Sequence, residues 1–179
     1  IYNFKQLRSS LEKKGHFFST NSDTEVLLHL YEEKEEDLLS NLDGMFAFAI
    51  FDMKKKKLFL ARDRFGIKPL YYKIENDKLI FASEIKAILA FEKEKGILDR
   101  ESLIDYLALQ YITGDKTLFL GINKLLPGEY LVFKKNSFHK KIYWNLTAYK
   151  EKLPFQEYFK TFHNLFQESV KNNLQSDVP

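Results

Sequence analysis

Thr20-Asn21-Ser22-Asp23-Thr24-Glu25 places a hydroxyl and a carboxylate side by side where a helix is expected to start. Ser22 suits the capping position, and Glu25, three residues on, completes the pattern of a capping box. Asp23 falls where the positive end of the helix dipole favours an anion. A second charged stretch, Arg62-Asp63-Arg64-Phe65-Gly66-Ile67-Lys68-Pro69, reads either as a functional loop or as a strand-to-strand connection with solvated charges, and it is given no catalytic role. The run Lys54–Lys57 has no aromatic platform beside it and reads as a solvated turn, not a phosphate or nucleic-acid site. His16, His29, His139 and His163 show no metal-ligand spacing. Nothing in the spacing of Asp52, Asp63 and Glu84 singles out an acid–base pair. The sequence holds no cysteine, which excludes a disulfide, a thiolate metal site and a cysteine nucleophile within these residues.

The elements that must position these residues follow from periodicity and turn chemistry. Phe4, Leu7 and Leu11 mark one face of a helix that Gly15 can end, and His16–Phe18 can form a short strand. Val26, Leu27, Leu30 and Tyr31 predict a helix after Ser22, and a short acidic helix is expected around Glu35–Leu39, leading to a turn at Asp43-Gly44. Phe46–Phe51 is nearly continuous apolar sequence, which suits a strand covered on both faces. Leu58–Ala61, Leu70–Lys73, Leu79–Ala82, Tyr130–Phe133 and Phe138–Trp144 complete the expected strands, with turns at 52–57, at Glu75-Asn76-Asp77 and at Lys135-Asn136. Ser83 and Asp99 are placed to cap two further helices, 118–126 reads as irregular, and Pro154 suits the first turn of a helix carrying Phe155, Phe159, Phe162, Phe166 and Val170. Tight turns between most strand neighbours predict antiparallel sheets with helices outside them, an α+β arrangement and not a doubly wound one.

Composition fits a globular chain: 179 residues, 45% hydrophobic and 30% charged, with 17 Phe and 10 Tyr for the core. A net charge of +3, spread along the sequence, gives no reason to expect nucleic acid as a partner. No apolar run approaches the roughly 20 residues needed to span a bilayer. Because the sequence starts at Ile1 and stops at Pro179, it is expected to be a piece of a longer protein.

Three blocks, LDGMFAFAIFD, LFLARDRFGIKPLYY and LIFASEIKAIL, closely resemble the glutamine amidotransferase domain of glutamine-hydrolysing asparagine synthetases. The resemblance implies an αββα four-layer sandwich of the N-terminal-nucleophile hydrolase type over residues 1–145, truncated at its amino end. It further implies a linker over 146–154 and, over 155–179, the first helix of an ATP-pyrophosphatase (synthetase) domain. Thr20–Val26 resembles the segment whose aspartate holds the α-amino group of glutamine, so Asp23 is the implied substrate-binding residue. Ile1-Tyr2-Asn3 resembles the end of the family motif Asn-Gly-Glu-Ile-Tyr-Asn. That places the oxyanion-hole Asn-Gly pair, the nucleophilic cysteine and a glutamine-binding arginine upstream of Ile1. Glu168–Pro179 resembles the sequence just ahead of the family's pyrophosphate loop. The implied parent is a cytoplasmic ATP-dependent carbon–nitrogen ligase that uses glutamine, aspartate, ATP and Mg²⁺ to make asparagine, and a homodimer is compatible with it. These residues would bind no cofactor or metal themselves and would carry out neither half-reaction alone. Two other readings stay open: an asparagine-synthetase-like amidotransferase with a different acceptor, from surface-polysaccharide or secondary metabolism, and a non-catalytic binding protein that keeps the sandwich without the nucleophile.

Overall fold

The computed structural model describes residues 1–93, 95–135, 137–148 and 153–174. The chain divides into two compact units, Ile1–Gly44 with Leu146–Pro179, and Met45–Asn145. Residues 149–152 of the expected linker, 175–179 at the carboxyl end and Asn136 of the expected 135–136 turn lie outside the described residues.

The first unit is helical. Helix α1 (Phe4–Glu12) ends before Gly15, whose φ of +96° reverses the chain where the sequence predicts a stop. Helix α2 (Asp23–Lys34) starts as predicted: Ser22 is extended and its hydroxyl accepts a hydrogen bond from the Thr24 amide. Val26, Leu27, Leu30 and Tyr31 are the buried face, as their spacing requires. The acidic segment after it, Glu35–Asn41, is a 3₁₀ helix that buries Leu38 and Leu39. Residues 16–18 form no strand. The His16 and Phe18 rings instead pack edge-on against His29 of α2, so side-chain contacts with a helix replace sheet pairing. The final described helix of this unit (Phe155–Asn173) has Pro154 at its cap, one position earlier than its expected place in the first turn.

The second unit holds two antiparallel sheets. Strands β1 (Ala47–Asp52), β2 (Lys57–Arg62), β3 (Tyr71–Glu75), β4 (Lys78–Ala82), β5 (Asn123–Lys124), β6 (Glu129–Lys134) and β7 (Ser137–Ile142) assemble as β1-β2-β6-β7 and β4-β3-β5. The hairpin turn between β3 and β4 puts Asn76 and Asp77 at positive φ, which these two residue types tolerate better than most. Leu60 and Leu131 from the first sheet share one buried cluster with Leu70, Tyr72 and Leu125 around the second, so the sheets face each other across a common core. On the opposite face of the first sheet, Phe48, Phe59 and Tyr130 pack edge to face in sequence with ring centroids 5.8 and 5.5 Å apart.

The strand buried on both faces is β2, where Phe59, Leu60 and Ala61 are all inaccessible, and not β1. Among the described residues β1 stands at the sheet edge with Phe51 exposed, because β2 pairs with β6 on its other side. Two helices accompany the sheets. Ile85–Glu92 packs on β4 and β3 through the buried Ile88 and starts at Glu84 without a side-chain cap, so Ser83 does not serve there. Arg100–Leu109 is capped as predicted by Asp99, which accepts from the amides of Glu101 and Ser102. The stretch 118–126 is irregular except for β5, whose two residues extend the second sheet beside Tyr71 and Tyr72.

Candidate functional site

Asp23 is the first residue of α2, so its carboxylate sits beside the unpaired amides of the helix start. Its Oδ2 accepts a hydrogen bond from the α-ammonium of Ile1 at 2.7 Å, while 43% of the side chain stays open to solvent. The geometry is that of a short charge-assisted contact between a carboxylate and an α-ammonium.

The segment that brings Ile1 there is held from both sides. The Tyr2 amide donates to the Asp43 carbonyl at 2.7 Å, the Asn3 side chain donates to the Asn41 carbonyl at 2.8 Å, and its Oδ1 accepts from the Asp43 amide at 3.1 Å. Gly44, at φ +148°, makes this fit possible, since a Cβ there would lie 2.9 Å from the Ile1 Cα. The turn at Asp43-Gly44 that the sequence predicts thus becomes a clamp on residues 1–3. A cleft of about 300 Å³ opens beside this segment, lined by Tyr2, Asp43 and residues 165–173 of the last helix; Asp23 is not in its lining.

Ser22 caps α2 and Asp23 stands at its start, as the residue pattern predicts, but Glu25 does not close a capping box. Its carboxylate turns to the preceding loop and accepts from the amides of Ser19 and Thr20, both at 2.7 Å, and from the Thr20 hydroxyl. The Thr20 hydroxyl, and after it the Ser19 amide, bring the Glu25 pKa down to about 2. Glu25 therefore fixes the approach to Asp23 and leaves the cap to Ser22 alone.

The Arg62–Pro69 loop resolves toward its structural reading. Asp63 is almost fully buried; its Oδ1 accepts from the amides of Phe65 and Ile67 at 3.1 and 3.0 Å, and its Oδ2 from that of Lys68 at 3.0 Å. Arg62 spends its guanidinium on three carbonyls, those of Lys68, Leu125 and Gly66, at 2.6–2.7 Å. Its carbonyl accepts from the Tyr143 hydroxyl at 2.8 Å, and burial pushes the Tyr143 phenol pKa up. An anion in a ring of amides and a cation on a ring of carbonyls fold the loop from within, which leaves neither charge directed at a substrate. The signal available in the sequence was Gly66: at φ +65°, its Cβ position lies 2.8 Å from the Pro127 side chain and 3.0 Å from the Arg62 guanidinium carbon.

The remaining candidates separate cleanly. Lys55 donates its amide to Asp52 in a hairpin turn whose residues 53–56 are exposed, as a solvated turn should be, but Lys57 departs from the expected solvated run: it is the first residue of β2 and is buried. His139 packs edge-on to Tyr130, and His163 stacks on Phe159. His16 and His29 are 13 residues apart in sequence, yet their Nδ1 atoms lie 3.1 Å apart. The sequence gives no sign of this approach because a loop, and not helical spacing, delivers it.

Comparison with known proteins gives the family of the chain. A glutamine amidotransferase domain family matches residues 1–144. A relative from Bacillus subtilis (strain 168) named asparagine synthetase [glutamine-hydrolyzing] 3 is 42% identical over 100% of this chain and 29% of its own length. A protein of Penicillium rubens named amidase chyE is 35% identical over 100% of this chain and 27% of its own length. The chain thus spans less than a third of these relatives. Among solved structures, the glutamine phosphoribosylpyrophosphate amidotransferase of B. subtilis, complexed with ADP and GMP, superposes with a TM-score of 0.55 at 24% identity, covering 80% of this chain and 27% of that one. This likeness shows the fold: an α+β sandwich with two antiparallel sheets.

Proposed function

The chain belongs to the glutamine amidotransferase domain family, and from that premise we propose that it forms the glutamine-recognition part of a glutamine-hydrolysing asparagine synthetase, with Asp23 as the carboxylate that receives the substrate's α-ammonium. What carries this reading is the family match over residues 1–144 together with the place of Asp23, a partly exposed carboxylate at the first residue of α2. Ser22 orients the helix start, Glu25 ties down the loop ahead of it, and the helix dipole supports the carboxylate's charge.

The sulfur nucleophile of such an enzyme is not among these 179 residues, which contain no cysteine, and neither is a glycine-rich phosphate loop. In this reading both belong to the remainder of the parent protein, where ATP and Mg²⁺ would activate the aspartate side-chain carboxylate and ammonia from glutamine would attack its carbonyl carbon, with the activating nucleotide as the leaving group. Residues 1–145 would then form most of the amidotransferase domain, and residues 155–179 the first helix of the synthetase domain. These 179 residues alone would show neither glutaminase nor ATP–pyrophosphate exchange activity. The parent would act in the cytoplasm; among the described residues no helix is long and apolar enough to cross a membrane.

A second reading is favoured by one observation. The relative named as an amidase matches this whole chain at 35% identity, so sequence in this region is shared by proteins whose names state different activities. The acceptor would then differ while glutamine recognition at Asp23 stayed the same. The test compares nitrogen sources in the full-length protein. Asp23→Asn should lower glutamine-dependent synthesis by about 10²-fold, the worth of a hydrogen bond to a charged group, and leave ammonia-dependent synthesis unchanged. Equal loss with both nitrogen sources would refute the assignment, and activity with an acceptor other than aspartate would select the second reading.

A further inference from the structure

The pairing of His16 with His29 has a third member. The Nδ1 atoms of both rings face the same oxygen, Glu32 Oε2, at 3.7 Å from His16 and 3.2 Å from His29, and the two nitrogens are 3.1 Å apart. These three edges close a triangle with a circumscribed radius of about 1.9 Å. One face of a tetrahedron with metal–ligand bonds of about 2.0–2.1 Å has the same dimension. A single point therefore lies at bonding distance from two imidazole nitrogens and one carboxylate oxygen.

The outer sides of the rings are arranged consistently with this. His16 Nε2 is 3.1 Å from Glu33 Oε1, and Glu33 is itself held by Lys14 at 2.7 Å. His29 Nε2 is 3.9 Å from Glu25 Oε1, and Glu25 is anchored by the backbone of the 19–20 segment. The carboxylate hydrogen-bonded to His16 Nε2 favours the tautomer whose Nδ1 lone pair faces inward, the outer-shell pattern of metal-bound histidines, while Glu25 stands behind the His29 ring beyond hydrogen-bond distance. Around the rings stand Glu25, Glu32 and Glu33 against Lys14, an excess of two negative charges that a divalent cation neutralises. The rings are mostly buried, and Glu32 is two-thirds exposed, so solvent can complete the coordination.

We propose that His16 Nδ1, His29 Nδ1 and the Glu32 carboxylate form a binding site for one divalent transition metal of the zinc class, with water in the remaining positions. Two imidazoles and one carboxylate suit zinc and its neighbours and do not suit magnesium or calcium, which favour all-oxygen shells. The site joins the 13–22 loop to α2 and so braces the helix whose first residue is Asp23. Its role is structural: the metal fixes a loop that is otherwise held to α2 by the His16 and Phe18 ring contacts and by Glu25 and Glu33.

The test is equilibrium dialysis of the metal-stripped full chain against Zn²⁺ alone, with bound metal measured by mass spectrometry, and thermal melting with and without Zn²⁺. One equivalent should bind and raise the melting temperature. His16→Gln and Glu32→Gln should each weaken binding by 10²-fold or more, Glu33→Gln should weaken it by about 10–100-fold, and His163→Gln should change nothing. Glu32 is a surface residue, so its variant tests the site even if a ring substitution impairs folding. Absence of stoichiometric Zn²⁺ binding, or binding that survives both Glu32→Gln and His16→Gln, would overturn the proposal and leave the pair as two imidazoles sharing a proton.

Discussion

Replacing Asp63 should show how much of the Arg62–Pro69 loop is built from within. The carboxylate is almost completely buried and satisfies three amides at 3.0–3.1 Å. A hydrogen bond to a charged group contributes about 1.5–3 kcal/mol, and a buried amide left unpaired costs about 1–3 kcal/mol. Asp63→Ala removes all three acceptor contacts at once. The loop can admit water to some of the freed amides, so the loss should be about 3–5 kcal/mol and not the full sum. Asp63→Asn is the sharper probe. Its carbonyl oxygen can keep the Phe65 and Ile67 contacts, but its NH₂ group then faces the Lys68 amide, donor against donor, which should cost about 2–3 kcal/mol. Urea unfolding followed by circular dichroism would read both variants as shifts of the midpoint at constant slope. If both fall within about 0.5 kcal/mol of the parent, the buried carboxylate does not organise the loop, and its charges must be explained by function after all.

Three further outcomes follow from named contacts. Gly66→Ala places a Cβ 2.8 Å from the Pro127 side chain at a backbone φ of +65°, so it should cost about 1–3 kcal/mol in the same unfolding assay. Leu131→Ala empties a fully buried position between the two sheets and should cost about 2–5 kcal/mol, whereas Phe51→Ala on the exposed edge strand should stay within about 1 kcal/mol. The hydrogen bond from Lys140 holds the Asp115 carboxyl below its ordinary value of 3.8, so the folded state releases this proton more readily than the unfolded chain. The resulting stabilisation is present above pH 3.8 and is lost as the pH falls below it; Asp115→Asn should flatten that part of a urea-midpoint-against-pH curve, and an unchanged acid limb would contradict the assignment.

Much of the architecture could be read from local chemistry. The Asn76-Asp77 turn, the Asp99 cap and the stop at Gly15 lie where residue type alone puts them, because each depends on a backbone preference and not on distant partners. What escaped the reading depends on neighbours remote in the chain. The apolar run in β1 resembles a central strand, yet β6 arrives from some seventy residues later to occupy the inner position beside β2. Asp63 resembles a solvated loop charge because amides that bind an anion leave no mark in side-chain spacing. His16 and His29 show no ligand spacing because the loop between α1 and α2 brings them together. At the candidate site, the residue pattern identified the cap and the dipole-favoured carboxylate. The resemblance supplied its proposed ligand, and the structure adds that the carboxylate opens α2 and stays partly exposed there.

Recognition of an α-ammonium by Asp23 is tested most directly by varying the carboxylate and the substrate together. In the full-length protein, glutaminase kcat/KM would be measured for L-glutamine and for 4-carbamoylbutanoate, which lacks the α-amino group, in the parent and in Asp23→Asn. The parent should prefer glutamine by about 10²-fold or more, and the variant should lose most of that preference through a fall in the glutamine value alone. A variant that still discriminates between the two substrates as well as the parent does would show that some other group holds the ammonium.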